Sequence, residues 1–324
     1  MLPRFSHVRP SKLRDVLHVL EKKHARVHAG GTDLLGCLRD QVFATETVVS
    51  LGALDELQTR GETADGGYRI GAMATISEVA DDPVVVARYT ALSDAAGVVA
   101  SPQLRNQGTL GGNLCQKPRC WYYRGDFNCL RKGGELCYAF EGENQYHCIF
   151  GGDLCFIVHP SDTAPALAAL GAICRVSGPT GSRSIPVETL HVLPSVDPQR
   201  ETVLEGDEVI TEIVLPRPAP GLRSSYRKVR SRAAWDFALA GVALALQLDG
   251  EVVKSARVFL SGVAPVPWRA KAVEEVVTGR ALDEQAIAAA AEAAVLGAEP
   301  LSENAYKVEL VKGLVAEQLE AMTA

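Results

Sequence analysis

Residues 28–36 read HAGGTDLLG, where an apolar strand runs into a helix. The adjacent glycines Gly30 and Gly31 lack Cβ atoms, so the backbone can turn until successive N–H groups point at one place. The helix beginning at Leu34 adds its own unpaired N–H groups and the positive end of its dipole. Such a turn cradles phosphate. It can equally be a tight turn in which Thr32 or Asp33 does no more than cap the helix. The segment matches neither G-x-G-x-x-G nor G-x-x-x-x-G-K-[ST], so the common nucleotide fingerprints are absent.

Upstream, Ser11 is placed to cap a helix in which Leu13, Val16, Leu17 and Leu20 recur at helical spacing, and residues 25–29 form a strand. Downstream, Leu34, Leu35 and Leu38 predict a second helix, and Val48, Val49 and Leu51 the next strand. A second subdomain begins near Gly67, with a strand over 68–72, a helix start at 75–79 and a helix over 88–100 that stops before Ser101-Pro102. There LRNQGTLGGNL, residues 104–114, supplies a second Gly-Gly turn flanked by Thr109 and Asn113. Two phosphate-suited turns in one chain suggest a clasp for the two halves of a pyrophosphate.

Residues 115–155, CQKPRCWYYRGDFNCLRKGGELCYAFEGENQYHCIFGGDLC, hold six of the eight cysteines. Their Gly, Asp and Asn content favours an irregular loop. Disulfides are disfavoured because MLPRFSHVRPSKL has no apolar signal core. Structural zinc sites use close C-x(2-4)-C pairs, whereas the gaps from Cys120 onward are x8, x7, x10 and x6. An iron-sulfur cluster is larger and accepts widely spread thiolates. Spacing alone favours the cluster over zinc only modestly.

The chain has 324 residues, enough for two or three domains, and a net charge of −6, which gives no basic footprint for nucleic acid. No apolar run is long enough to span a bilayer. A soluble, cytoplasmic protein is expected, unless a signal on a partner exports the folded complex.

Six motifs occur in a telling order: AGGTDLL (29–35), IGAMAT (70–75), LRNQGTLGGNL (104–114), HPSDTAPAL (159–167), YRKVRSRAAWDFALAGVAL (226–244) and SGVAPVPWR (261–269). Together they resemble the FAD-binding medium subunit of the molybdenum hydroxylase, or xanthine dehydrogenase, family. The resemblance implies an α+β chain. A vanillyl-alcohol-oxidase-type FAD domain would occupy residues 1–218, as subdomains 1–58 and 59–218 with an inserted loop at 115–158. A smaller α+β domain would follow at 219–324. It further implies that Ala29, Gly30, Gly31, Thr32, Asp33 and Leu34 hold the FAD pyrophosphate, completed by Thr109, Gly112 and Asn113. Asp162 would bind ribityl or nearby hydroxyls, unless it merely caps the helix of residues 164–170, and Lys228 would approach the flavin.

Within that family the cysteine loop resembles the additional [4Fe-4S] loop of bacterial aldehyde oxidoreductases and hydroxybenzoyl-coenzyme A reductases. The run RCWYYRGDFNCLRKGGELC, with Cys155 just before HPSD, is similar to the first branch and implies Cys120, Cys129, Cys137 and Cys155 as ligands. The second branch uses a cysteine near Cys148 in place of Cys129, which makes Cys148 a substitute ligand. Cys115 reads as a packed or pocket thiol, and Cys37 and Cys174 as small core residues.

After the linker PRPAPG, strands are expected at 224–232, 240–248 and 253–263, with Asp249-Gly250 as a hairpin turn. Helices follow at 270–279, 283–297 and 303–322. The last carries a stripe of Tyr306, Leu310, Leu314 and Met322 with Val311, Val315 and Leu319 alongside. Trp235 and Trp268 are expected in the core, with a place near the flavin or at an interface as the alternative. No Ser/His/Asp set or carboxylate pair marks a substrate pocket, and the family places substrate chemistry on a molybdenum-pterin large subunit and [2Fe-2S] clusters on a small subunit. The resemblance therefore implies an electron-relay subunit of a heterotrimer, with an external carrier such as ferredoxin. The alternatives are an NAD-linked flavin subunit and a non-catalytic zinc-stapled protein of the same fold.

Overall fold

The computed structural model describes residues 1–22 and 24–323. At the N-terminus a parallel sheet has the order Ser6–Val8, Thr47–Ser50, Ala25–His28. Helix Leu13–Leu20 buries Val16 and Leu20 against it, joining Val49, Leu51 and Leu54 in one small core. The residue at the helix start is Lys12, with no side-chain cap, so Ser11 does not cap as expected.

The second subdomain is an antiparallel sheet in the order Arg60–Glu62, Tyr68–Gly71, Val209–Leu215, Ile173–Gly178, Gly181–Pro186. Helix Ile76–Ala80 starts with a full capping box between Thr75 and Glu78. The single helix expected over 88–100 is two, Pro83–Arg88 and Thr90–Gly97. Tyr89 breaks it with extended φ −138° while its buried hydroxyl donates to the Pro216 carbonyl at 2.9 Å.

The third sheet is antiparallel and has four strands rather than three, because Trp268–Arg269 adds a short edge beside Val252–Ser261, Ala240–Asp249 and Leu222–Val229. Asp249 pairs with Val252, so the hairpin turns at Gly250 with φ +61°, as Asp-Gly predicts. Strand Ala240–Asp249 is buried on both faces, and its period-two alternation divides two cores. Ala243 and Ala245 join the core of the second subdomain, whereas Val242, Leu244 and Leu246 pack under helices Lys271–Val277, Glu284–Ala293 and Tyr306–Thr323. Of the last helix's expected stripe, Val311, Leu314, Val315, Leu319 and Met322 are buried, but Tyr306 faces out. Among the described residues no helix is long and apolar enough to cross a membrane.

Trp235 is not a core residue. It is 66% exposed, at φ +53°, with its N–H on the Ala100 carbonyl at 2.9 Å. Trp268 is half-buried and stacks on Phe150, ring centroids 5.1 Å apart.

Candidate functional site: a glycine-walled cleft beside a cysteine loop

The two glycine turns lie back to back. A Cβ on Gly30 would fall 1.9 Å from the Gln107 carbonyl oxygen, and one on Gly111 would fall 2.8 Å from the Ala72 Cβ. Only glycine permits this approach. The second turn is tied to its own subdomain by Ile76 N–H to Gly108 O, Leu110 N–H to Ala74 O and Gly111 N–H to Ala72 O, each at 2.9 Å. The first turn closes through Gly31 at φ +73°. Between them opens a cleft of about 650 Å³ lined by Ala29, Gly30, Gly31, Thr32, Asp33, Leu34, Thr109, Gly112, Asn113, Asp162 and Lys228. Every residue expected to hold the cofactor thus faces one space, of the size range of small-ligand sites. No backbone carbonyl accepts from the N–H groups of residues 30–34 among the described hydrogen bonds, which leaves these donors for an anion.

Several side chains have partners that the sequence does not reveal. Thr109 accepts from Gly112 N–H at 3.2 Å and caps helix Leu110–Leu114. Asn113 Oδ1 accepts from Ser161 Oγ at 2.5 Å and from Thr163 Oγ1 at 2.7 Å, which joins the second turn to the HPSD segment. Asp162 does not cap the helix that follows it; Ser161 takes the Ala164 N–H instead. The Asp162 carboxylate accepts from Lys228 Nζ at 2.7 Å and from the Tyr226 hydroxyl at 2.8 Å, both carried by one face of strand Leu222–Val229. Burial first, and the Asp162 charge second, push the Tyr226 hydroxyl well above its ordinary value, so it stays a donor.

Asp33 supplies no side-chain cap either. Its carboxylate reaches away from the turn, accepting from Lys117 N–H at 2.7 Å and Arg124 at 2.7 Å and pairing with Arg119 at 2.8 Å. The start of the cysteine loop is thereby stapled to the glycine turn. A second anchor is Glu201, which pairs with Lys117 and, at 2.8 Å, with Arg131, a guanidinium that also donates to the Pro198 and Arg200 carbonyls. Asp33→Ala leaves the half-buried Arg119 and Arg124 without their carboxylate, a cost on the order of 2 kcal/mol. The variant is expected to melt several degrees lower in a thermal scan. An unchanged melting temperature would contradict that role.

The loop brings Cys120, Cys129, Cys137 and Cys155 around one small cavity, with Tyr122, Arg131, Tyr138 and His147 in its walls. Cys148 does not line it; it is buried against Gly152, and burial pushes its thiol up to about 12. All eight cysteines are free thiols. Within the close Cys137–Cys155 pair, the hydrogen bond from Cys155 holds the Cys137 thiol below its ordinary value. His147, which the sequence reading passed over, places Nε2 3.2 Å from Cys120 Sγ. A histidine directly preceding a loop cysteine was the available signal. Among the described residues no three His, Cys, Asp or Glu side chains converge on a single-ion geometry.

Behind the second turn, the rings of His159 and His191 lie 4.0 Å apart between centroids with their planes tilted by 54°. His191 Nε2 donates to the Leu114 carbonyl at 3.0 Å, while His159 Nε2 and His191 Nδ1 have no partner. Burial lowers His191 to about 4. The unfolded chain takes up this proton near 6.5, so the stability from burying the neutral ring is present above that pH and is lost as the pH falls toward 4, by about 3 kcal/mol. His191→Gln is expected to flatten the pH dependence of the chemical-unfolding midpoint between 6.5 and 4. An equally steep profile would contradict this assignment.

The chain matches a family model described as the FAD-binding domain in molybdopterin dehydrogenase over residues 3–218, and one described as the CO dehydrogenase flavoprotein C-terminal domain over residues 224–322. It is 36% identical to the aldehyde oxidoreductase FAD-binding subunit of Escherichia coli, covering 91% of this chain and 90% of that one. It is 28% identical to the carbon monoxide dehydrogenase medium chain of Hydrogenophaga pseudoflava, over 99% and 98% of the two chains. A solved structure of that dehydrogenase, in a form lacking the Mo-pyranopterin moiety of its molybdenum cofactor, superposes over the whole of both chains with a TM-score of 0.80 at 26% identity.

Proposed function

This chain belongs to the molybdenum hydroxylase family of FAD-binding subunits, and from that premise we propose that it relays electrons between the [2Fe-2S] clusters of a partner and an external one-electron carrier, through FAD and a [4Fe-4S] cluster of its own. The observation that carries this reading is the convergence of four free thiols on one cavity in a loop stapled to the glycine turn by Asp33.

The cleft fits FAD by its free N–H donors and by glycines whose Cβ positions are already filled by neighbouring backbone or side chain. FAD bound there would take up hydride or single electrons and give them up again, the chemistry a protein orients and tunes rather than supplies. In this reading the N–H groups of Gly30, Gly31, Thr32, Asp33 and Leu34 hold one side of the pyrophosphate beside Ala29. The turn of Thr109, Gly112 and Asn113 holds the other side. Asp162, fixed by Tyr226 and Lys228, presents its carboxylate to hydroxyls of the ribityl chain, and Lys228 adds positive charge at the flavin end. The Arg119 and Arg124 cations neutralise Asp33 and so keep its charge from repelling the pyrophosphate.

The thiols of Cys120, Cys129, Cys137 and Cys155 would hold a [4Fe-4S] cluster, which passes one electron at a time. All four are free thiols that line one cavity, so each would be available as a ligand without a disulfide having to be reduced first. Iron would also drive off the proton that burial favours on Cys120, whose thiol is pushed up to about 11. In this reading the molybdenum-pterin and [2Fe-2S] centres belong to a large and a small partner subunit in a heterotrimer. The carrier in this reading is a small one-electron protein, of which ferredoxin is one example, and the complex is cytoplasmic unless a signal on a partner subunit exports it.

The test is anaerobic purification of the complex with metal and flavin quantification and electron paramagnetic resonance of the dithionite-reduced sample. About four irons and one FAD per copy of this chain, counted apart from a partner's centres, is the expected result. Zinc without iron overturns the cluster.

A further inference from the structure

The surface of the cysteine loop is unusual in composition. Phe127, Leu136, Tyr138, Phe140, Tyr146 and Leu154 are all exposed there. Three of the exposed aromatics are connected: Tyr122 packs on Phe127 at 5.0 Å and on Tyr138 at 6.1 Å, Phe127 on Tyr138 at 5.2 Å, and Trp121 on both Tyr122 and Tyr146, while Phe140 stacks separately on Phe156 at 5.6 Å. Tyr122 and Tyr138 also wall the thiol cavity, so the aromatic patch is the outer face of the site. Around it Asp126, Glu135, Glu141, Glu143 and Asp153 are exposed. The basic residues of the same loop are withdrawn. Arg131 is 5% exposed and bound to Glu201, Arg124 is held by Asp33, and Lys132 donates to the Gly125 carbonyl at 2.7 Å.

An exposed, aromatic-centred patch with a charged rim has the anatomy of a protein interface. The sign of the rim selects the partner, because complementary charge steers encounter and like charge suppresses it. We propose that this face docks a one-electron redox protein that presents a basic patch. The inference rests on the cluster reading above, since it is the thiol site that makes an electron exchange at this face useful. In each encounter one electron leaves the reduced cluster and enters one oxidised carrier; no bond changes and no proton moves. The rim thus narrows the carrier class: an acidic ferredoxin would meet repulsion here, a basic cytochrome attraction.

The experiment uses the intact purified complex, pre-reduced with stoichiometric dithionite, and follows reduction of a basic cytochrome c in stopped flow at rising salt, with an acidic plant-type ferredoxin as comparison. The cytochrome rate is expected to fall roughly tenfold or more between low and half-molar salt, and by a similar factor in a Glu135→Lys, Glu141→Lys variant of unchanged iron and FAD content. Reduction of a small neutral quinone by the same variant should be unaltered. A rate indifferent to salt and to charge reversal, as a loop covered by a permanent subunit would give, overturns the docking face, as does faster reduction of the ferredoxin. A complex without iron overturns the cluster reading itself, and the iron assay separates the two failures.

Discussion

Gly30→Val is expected to raise the dissociation constant of FAD at least a hundredfold, about 2.7 kcal/mol. The reason is steric and local. The Cβ of any other residue would lie 1.9 Å from the Gln107 carbonyl oxygen and 2.7 Å from its carbon, and backbone cannot swing aside as a side-chain end can. The two turns must separate, and the N–H groups that converge from both sides then no longer face one anion. Gly31→Val acts differently. Its Cβ would meet the His28 side chain rather than backbone, at 2.6 Å, but a β-branched residue at φ +73° adds about 1–2 kcal/mol of backbone strain. Flavin content after purification and titration of the flavin-free protein with FAD measure both. Stoichiometric flavin in the Gly30 variant would show that the back-to-back turns are not the pyrophosphate clasp.

Cys120→Ser is expected to bring the iron of this chain from about four to below one while FAD stays bound. The thiol belongs to the loop cavity, whereas the cleft is walled by other residues, so the two cofactors should separate in this variant. The informative comparison is between Cys129→Ser and Cys148→Ser. Cys129 lines the cavity; Cys148 sits outside it, its thiol pushed up by burial. Loss of iron in the first and retention in the second supports the set Cys120, Cys129, Cys137 and Cys155. The reverse result would put Cys148 in place of Cys129.

Local pattern was enough wherever a single segment decides its own conformation. The apolar period located helix Leu13–Leu20 and the strands around it, and Asp249-Gly250 located the hairpin. It failed where distant contacts prevail. Tyr89 ends a helix to reach Pro216, 127 residues away. Trp235 looks apolar enough for a core, yet its backbone is held to Ala100 in a conformation that turns the ring outward. The two-residue strand Trp268–Arg269 is too short to leave a period.

By itself the sequence determined the family, through the order of its glycine and HPSD motifs, and the number of thiols available to a metal. Both are properties of local chain chemistry: a turn needs its glycines in place, and a ligand needs its sulfur. The tertiary structure decided that Ser161 rather than Asp162 caps its helix, that Asp33 ties the cysteine loop to the glycine turn, and that four thiols meet with Cys148 left outside. Those outcomes depend on groups brought together across intervals such as the 84 residues between Asp33 and Lys117. No period or spacing encodes such a pairing; it exists only once the sheets have packed and their loops have been brought to one side.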